Sequence, residues 1–327
     1  MKKPKILVVG SMNMDLITTA DRFVMPGETI HGLSFSTAPG GKGANQAIQA
    51  ARLCADVTMV GKVGNDAFGI ELIKSAKESG VDISHVKVTD KAPTAIADIQ
   101  LCKSDGGTQN RIVIVAGANG ELKIEDIDFL KDSIAEYDMV ILQHEIPNEI
   151  NEAVAKTAYA ANVPIMLNPA PAAEVSSEML KMLTFISPNE HEAAAITGIK
   201  AESESNLHRI IEKFGESGVK NTIITLGSSG AVIGGECGYI RCPAATYDVA
   251  VDPTAAGDSF IAAFSVAYSV GLSCSDSLCF ASFVAAITVS RPGAQPSLPT
   301  LDEVLSALDK LCADFELAAR IREKMGR

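Results

Sequence analysis

From end to end, short β-prone apolar runs alternate with helix-like stretches, and this rhythm constrains the fold more than any single motif. Ile6–Val9, Val57–Val60, Met139–Leu142, Pro164–Leu167, Phe185–Ser187 and Thr222–Thr225 read as strands. Between them, Ala44–Leu53, Phe68–Ser79, Ile150–Ala160 and Leu207–Phe214 read as helices. Near-continuous apolar strands separated by helices are what a parallel sheet covered on both faces requires. The expected fold is therefore α/β, with a large doubly wound, mostly parallel sheet flanked by helices. A chain of 327 residues can bury such a core as one domain spanning 1–327.

Two segments break the rhythm. Leu16–Phe35 and Ala95–Val115 alternate in a β-prone way around the turns Pro26-Gly27 and Gly106-Gly107, with little helical pattern. They are expected to form a small β-sheet lid, over about 16–37 and 94–116. The competing reading makes them edge strands of the main sheet.

Composition excludes some partners. Twenty-eight basic residues against forty acidic ones give a net charge of −12, which disfavours nucleic acid. The start, Met1-Lys2-Lys3-Pro4, runs directly into the first strand, unlike a signal peptide, and no apolar stretch is long enough to span a membrane. A cytoplasmic location is the expectation. Seven cysteines are scattered, with two Cys-x4-Cys pairs, Cys237/Cys242 and Cys274/Cys279. Five residues apart puts strand residues on opposite faces and helix residues about 140° apart, so neither pair converges on a metal. Reduced, mostly buried thiols are expected.

The segment richest in chemistry is Ala255-Ala256-Gly257-Asp258-Ser259-Phe260. It follows an expected strand, Tyr247–Val251, and the turn Asp252-Pro253-Thr254, and it opens the apolar run Phe260–Leu272. Unpaired N–H groups at a helix start attract anions. Asp258 in the first turn can take a proton from an attacking hydroxyl, and the pairing suits phosphoryl transfer to an alcohol. Taken alone, the segment is equally an ordinary helix start with an acidic first turn.

Other constellations are weaker singly. Gly40-Gly41-Lys42-Gly43-Ala44-Asn45-Gln46 is a glycine-rich turn feeding a helix, yet Gly43 after Lys42 departs from a Walker A loop. Lys42 and Asn45 could meet a polar ligand there, or the turn is simply a cap. Gly10-Ser11-Met12-Asn13-Met14-Asp15 ends the first strand, where open α/β sheets bind ligands. Asp15 could accept two hydrogen bonds from vicinal hydroxyls, with Asn13 beside it, or the segment is an Asx turn. Glu145 ends another strand and could share that pocket, while the adjacent His144 reads as packing or surface. Asn168-Pro169-Ala170-Pro171-Ala172 reads as a stiffened turn, and Gly64–Gly69 as a turn with an N-cap. Asn189 and Glu192, three apart on one helix face, could reach a phosphate or Mg²⁺-bound water, or cap the helix. Thr225-Leu226-Gly227-Ser228-Ser229-Gly230 lets backbone approach a flat ligand. Most of these fall at strand C-termini, and that concurrence carries the functional argument.

In order along the chain, the motifs Gly-Ser-x-Asn-x-Asp (10–15), Gly-Gly-Lys-Gly-Ala-Asn-Gln-Ala (40–47), Gly-x-Asp-x-x-Gly (64–69) and Gly-Ala-Asn (117–119) resemble the ribokinase-like family of carbohydrate kinases. So do Glu145, Asn-Pro-Ala-Pro-Ala (168–172), Pro-Asn-Glu (188–190), Thr-Leu-Gly (225–227), Ala-Ala-Gly-Asp (255–258) and Gly-Ala-Gln-Pro-Ser (293–297). The resemblance implies an ATP-dependent sugar kinase acting on the 5-hydroxyl of D-ribose, with 2-deoxyribose, a nucleoside or another sugar as rival substrates and a non-catalytic sugar sensor as rival function. It implies Asp258 as base, with the N–H groups of Ala255, Ala256, Gly257 and Asp258 stabilising the transferred phosphoryl. Asn13, Asp15, Gly41, Lys42, Asn45, Glu145 and Asp258 would hold the sugar. Asn189, Thr225 to Gly230, Gly257 and Ser282 would meet the nucleotide. Potassium would sit behind the anion hole, held by Asp252, Thr254, Thr288, Arg291, Gly293 and Ser297, and Asn189 with Glu192 would act on Mg²⁺ indirectly. Family members commonly pair their lids into a homodimer.

Overall fold

Leucine, valine and isoleucine runs build two separate sheets. The computed structural model of the chain describes residues 3–104 and 107–326. Its first strands are β1 (Lys5–Val9), β2 (Asn13–Ala20), β3 (Ser34–Gly40), β4 (Asp56–Gly64), β5 (Asp82–Thr89), β6 (Ala95–Ser104) and β7 (Gly107–Val115). Then come β8 (Met139–Gln143), β9 (Ile165–Asn168), β10 (Phe185–Ile186), β11 (Asn221–Thr225), β12 (Ala231–Gly235) and β13 (Ile240–Cys242).

The large sheet has nine strands in the order β13-β12-β11-β10-β9-β8-β1-β4-β5. All neighbours pair in parallel from β11 to β5, and only the β11–β12 and β12–β13 pairings are antiparallel. Alternation along β1 feeds two cores, Ile6 and Val8 on one face, Leu7 and Val9 on the other. The first face is covered by helices Lys42–Arg52, Ala67–Glu78, Ala256–Ser269, Cys274–Val289, Leu301–Leu311 and Phe315–Met325. Helices Asn148–Ala160, Glu190–Thr197 and Glu204–Glu216 cover the second. The mostly parallel, helix-flanked sheet expected from the sequence is present, and each of the six expected strands and four expected helices forms.

The small sheet has the order β3-β2-β6-β7 and shares no strand with the large one. Only residues 10–12 separate β1 from β2, so Asn13 and Asp15 open the small sheet rather than close β1. Of the expected Gly106-Gly107 turn, Gly106 lies outside the described residues, as do Met1 and Lys2 at the start.

Two expectations are corrected. Tyr247–Val251 is not a strand. The N–H groups of Val251 and Asp252 both donate to the carbonyl of Val289 at a helix end, at 2.7 and 3.1 Å, which leaves no ladder to join. The cysteines are not all reduced: Cys237 and Cys274 form a disulfide. Comparing partners within each Cys-x4-Cys pair missed the pairing across them, because the β12–β13 hairpin packs on helix Cys274–Val289. Cys242 and Cys279, the other two members, are thiols with sulfurs 2.9 Å apart. Among the described residues no helix is long and apolar enough to cross a membrane.

Candidate active site

Polar residues end β8 (Gln143), β9 (Asn168) and β11 (Thr225), so the C-terminal edge of the parallel sheet is polar where its interior is aliphatic. Helix Ala256–Ser269 starts above that edge. Its N-cap, Ala255, sits in the left-handed region at φ 59°, a conformation costly for a residue with a Cβ and tolerated at sites that surrounding structure determines. The N–H of Ala256 is committed to the carbonyl of Pro253 at 3.1 Å. Those of Ala255, Gly257 and Asp258 have no partner among the described residues. Of the four N–H groups expected to form an anion hole, three are thus left without a partner.

Asp258, in that first turn, is only 7% exposed. Its Oδ2 accepts from Asn45 Nδ2 and its Oδ1 from Gln46 Nε2, both at 2.9 Å. Asn45 Oδ1 is buried without a partner, an acceptor that a ligand hydroxyl would satisfy. Asn45 and Gln46 lie on helix Lys42–Arg52, which Gly41 caps at φ 93°, and a Cβ there would lie 2.6 Å from the nitrogen of Asn13. Glycine alone lets the helix start approach β2 so closely.

Glu145 gathers the other wall. Its Oε2 accepts from Ser11 Oγ (2.5 Å), the N–H of Lys42 (3.1 Å) and Asn13 Nδ2 (3.4 Å). Asn119 holds Asn13 from behind, donating to its Oδ1 at 2.7 Å. Burial, then Glu145 and Asp258, push the Asp15 carboxyl up to about 7. Burial pulls the Lys42 ammonium down, but Asp258, Glu145 and Glu192 outweigh it and its pKa ends raised. One cation among several carboxylates is therefore held firmly charged.

Beside this cluster lies a cleft of about 210 Å³, lined among others by Lys42, Asn168, Asn189, Glu192, Thr225 and Asp258. Asn189 and Glu192 form a reciprocal capping box, Oδ1 accepting from the Glu192 N–H at 2.8 Å and Oε2 from the Asn189 N–H at 2.9 Å. The capping alternative is realised, and both residues still face the cleft. Burial raises the Glu192 carboxyl, against the Asn189 N–H and Lys42. Past Thr225, Leu226 is buried and Gly227–Ser229 form a single turn of 3₁₀ helix. Gly230, at φ 91°, passes so close to Cys242 that a Cβ would lie 2.1 Å from its carbonyl oxygen. Ser282 is buried on helix Cys274–Val289 with its hydroxyl against the Cys242 thiol, and it does not line the cleft.

Of the six residues expected to hold potassium, Asp252, Thr254 and Gly293 are joined by hydrogen bonds. Asp252 Oδ1 accepts from the N–H and hydroxyl of Thr254, and Oδ2 from the N–H of Gly293 at 2.8 Å. Burial opposes these bonds, yet they hold the carboxyl below its usual value. Arg291 turns its guanidinium onto Glu303, so only its carbonyl is left to offer. Thr288 and Ser297 donate their hydroxyls to the nearby carbonyls of Val284 and Ala294, keeping their own lone pairs.

Sequence reasoning assigned no role to Ser11, Gln46, Asn119 or Gln143. The first three stand inside quoted motifs, Ser11 and Gln46 beside assigned residues; Gln143 is the lone amide ending an aliphatic strand. That polar intrusion was the available signal.

Residues 3–301 match the family model described as pfkB family carbohydrate kinase. The chain is 41% identical to the ribokinase of Schizosaccharomyces pombe over 91% of its own length and 96% of the relative's. Among solved structures it resembles Arabidopsis thaliana ribokinase complexed with ribose and ATP, with a TM-score of 0.86, 34% identity, and 94% and 99% of the two chains covered. It also resembles Thermotoga maritima ribokinase, with a TM-score of 0.83, 36% identity, and 94% and 100% covered. With this match across nearly its whole length, the chain belongs to the pfkB family of carbohydrate kinases.

Proposed function

We propose that this kinase transfers the γ-phosphoryl group of ATP to the 5-hydroxyl of D-ribose, giving ribose 5-phosphate and ADP. The observation that carries the reading is Asp258, buried, held at both oxygens, and set one turn into a helix whose first N–H groups lack partners. Asp258 takes the hydroxyl proton as that oxygen attacks the γ-phosphorus in line and the bond to ADP breaks. The N–H groups of Gly257 and Asp258, with Ala255 beside them and Lys42 opposite, meet the charge on the moving phosphoryl. Asn13, Asp15, Gly41, Lys42, Asn45, Glu145 and Asp258 bind the sugar, and the orphaned Asn45 Oδ1 supports a hydroxylated ligand. Asn189 and Thr225 to Gly230 form the nucleotide side, and Ser282, turned into the interior against the Cys242 thiol, is set apart from it.

Two ions belong to the proposal. No group of three His, Cys, Asp or Glu among the described residues could hold a metal, which suits Mg²⁺ carried by phosphates and water, with Asn189 and Glu192 steering that water. The oxygen-rich set Asp252, Thr254, Thr288, Arg291, Gly293 and Ser297 fits a monovalent cation, and K⁺ bound there would supply a fixed positive charge behind the anion hole. The small sheet serves as a lid over residues 16–37 and 94–116, in a cytoplasmic enzyme. Its exposed Ile112, Val113, Ile114 and Val115 support a homodimer paired through that lid.

ADP release is the test, with D-ribose, 2-deoxyribose, fructose and nucleosides, each in potassium or sodium. Preference for ribose with potassium activation is expected. Turnover on another sugar alone would relocate the error to Asp15 and Asn45, since a site built to bond a hydroxyl rejects its absence strongly. Binding of ribose without any ADP formation would leave a sugar sensor.

A further inference from the structure

Behind Asp258 lies a relay of buried amides that none of the assigned roles uses. Asn45 and Gln46 are consecutive on helix Lys42–Arg52, so their side chains leave it about 100° apart, yet both reach the same carboxylate. The extra methylene of Gln46, fully buried, spans the difference. The carboxylate, which only accepts, sets which end of Gln46 donates, and a second amide holds the other end: Gln46 Oε1 accepts from Gln143 Nε2 at 2.7 Å. Turned over, Gln46 would put oxygen against the carboxylate and nitrogen against the nitrogen of Gln143, losing both bonds. Gln143 is itself hemmed in, since a Cβ on Gly10 would lie 1.9 Å from its Oε1. Its backbone carbonyl accepts from Asn151 Nδ2 at 2.7 Å, while its own Oε1 is buried without a partner.

Two donors on two oxygens define the plane of a carboxylate, whereas one leaves it free to rotate. We propose that Gln46, locked by Gln143, is a positioning residue for phosphoryl transfer: it sets the rotation of the Asp258 carboxylate so that a lone pair faces the acceptor hydroxyl. Gln46 is not assigned to touch substrate, so its contribution belongs to kcat rather than to sugar affinity. Misplacement of a reacting group by a fraction of its reach lowers rates by about 10²-fold.

The inference rests on the kinase reading, so wild-type ADP release is measured alongside the variants. Gln46→Met keeps the length and removes the donor; Gln143→Met leaves Asp258 untouched and only frees Gln46. The expected result is a kcat lower by roughly 100-fold for Gln46→Met and about 10-fold for Gln143→Met, with the ribose KM within about threefold in both. Wild-type kcat in either folded variant, or a loss confined to KM, would overturn the positioning role while sparing the kinase. Absence of turnover in the wild type would overturn both readings. If Gln46→Met does not fold, Gln143→Met decides by the same criteria.

Discussion

Two aliphatic runs of the same kind meet opposite fates. Ile6-Leu7-Val8-Val9 in β1 is wholly buried, while Ile112-Val113-Ile114-Val115 in β7 is 42 to 61% exposed. The difference is in what covers them. Helices cover both faces of the large sheet, and none packs comparably on the outer strand of the small one. Apolar character therefore marks a strand without saying whether it is core or contact surface. The site lies at the seam: the core brings Asp258, Glu145 and Glu192, and the first residues of the small sheet bring Asn13 and Asp15.

That contrast can be broken at several strengths. The largest effect belongs to the core side of the seam. Asp258→Asn should lower kcat by about 10²- to 10⁴-fold with unchanged circular dichroism, and near-native turnover would remove the base. Next comes covering itself. Leu7→Ala should cost about 2–5 kcal/mol in denaturant unfolding, whereas Val113→Ala should fall within about 0.5 kcal/mol in dilute protein. Equal costs would mean that the small sheet is not an exposed surface.

At the seam, Asp15 links the two sheets through pH. Its folded pKa of about 7 stands above the ordinary 3.8, so its contribution to stability is full below about pH 4 and is lost as pH rises through 7. Asp15→Asn should therefore outlast the wild type at pH 8, by at most roughly 4 kcal/mol, and the gap should close on acidification. Ribose affinity of the wild type should improve between pH 6 and 8, as the carboxylate becomes a full acceptor; a flat profile in both measurements would deny the coupling. A small effect is also expected at Ala255. Ala255→Gly removes a left-handed Cβ at the expense of unfolded-chain entropy, and melting should show a change within about 1 kcal/mol.

Much of this was legible in one dimension. The strands Ile6–Val9 and Met139–Leu142 and the helix after Gly43 could be read because burial on both faces demands unbroken apolar runs and helices demand their own period. Asp82–Thr89 escaped because an edge strand with Asp82, Ser84, His85 and Lys87 has no such run. Tyr247–Val251 misled for the converse reason: it has the β-prone residues but no neighbour to pair with.

Apolar periodicity and the order of motifs along the chain, read without coordinates, already determined the α/β class and the family and singled out Asp258 as the candidate base, because each depends on residue type and local spacing. Only the tertiary structure decided that Cys237 joins Cys274, that Ser282 turns inward, and that Gln46 and Gln143 stand behind the base. Those facts are contacts between residues 37 to 212 positions apart, or depend on them. Local spacing carries no information about such distances; packing creates it when helices and strands close around one another.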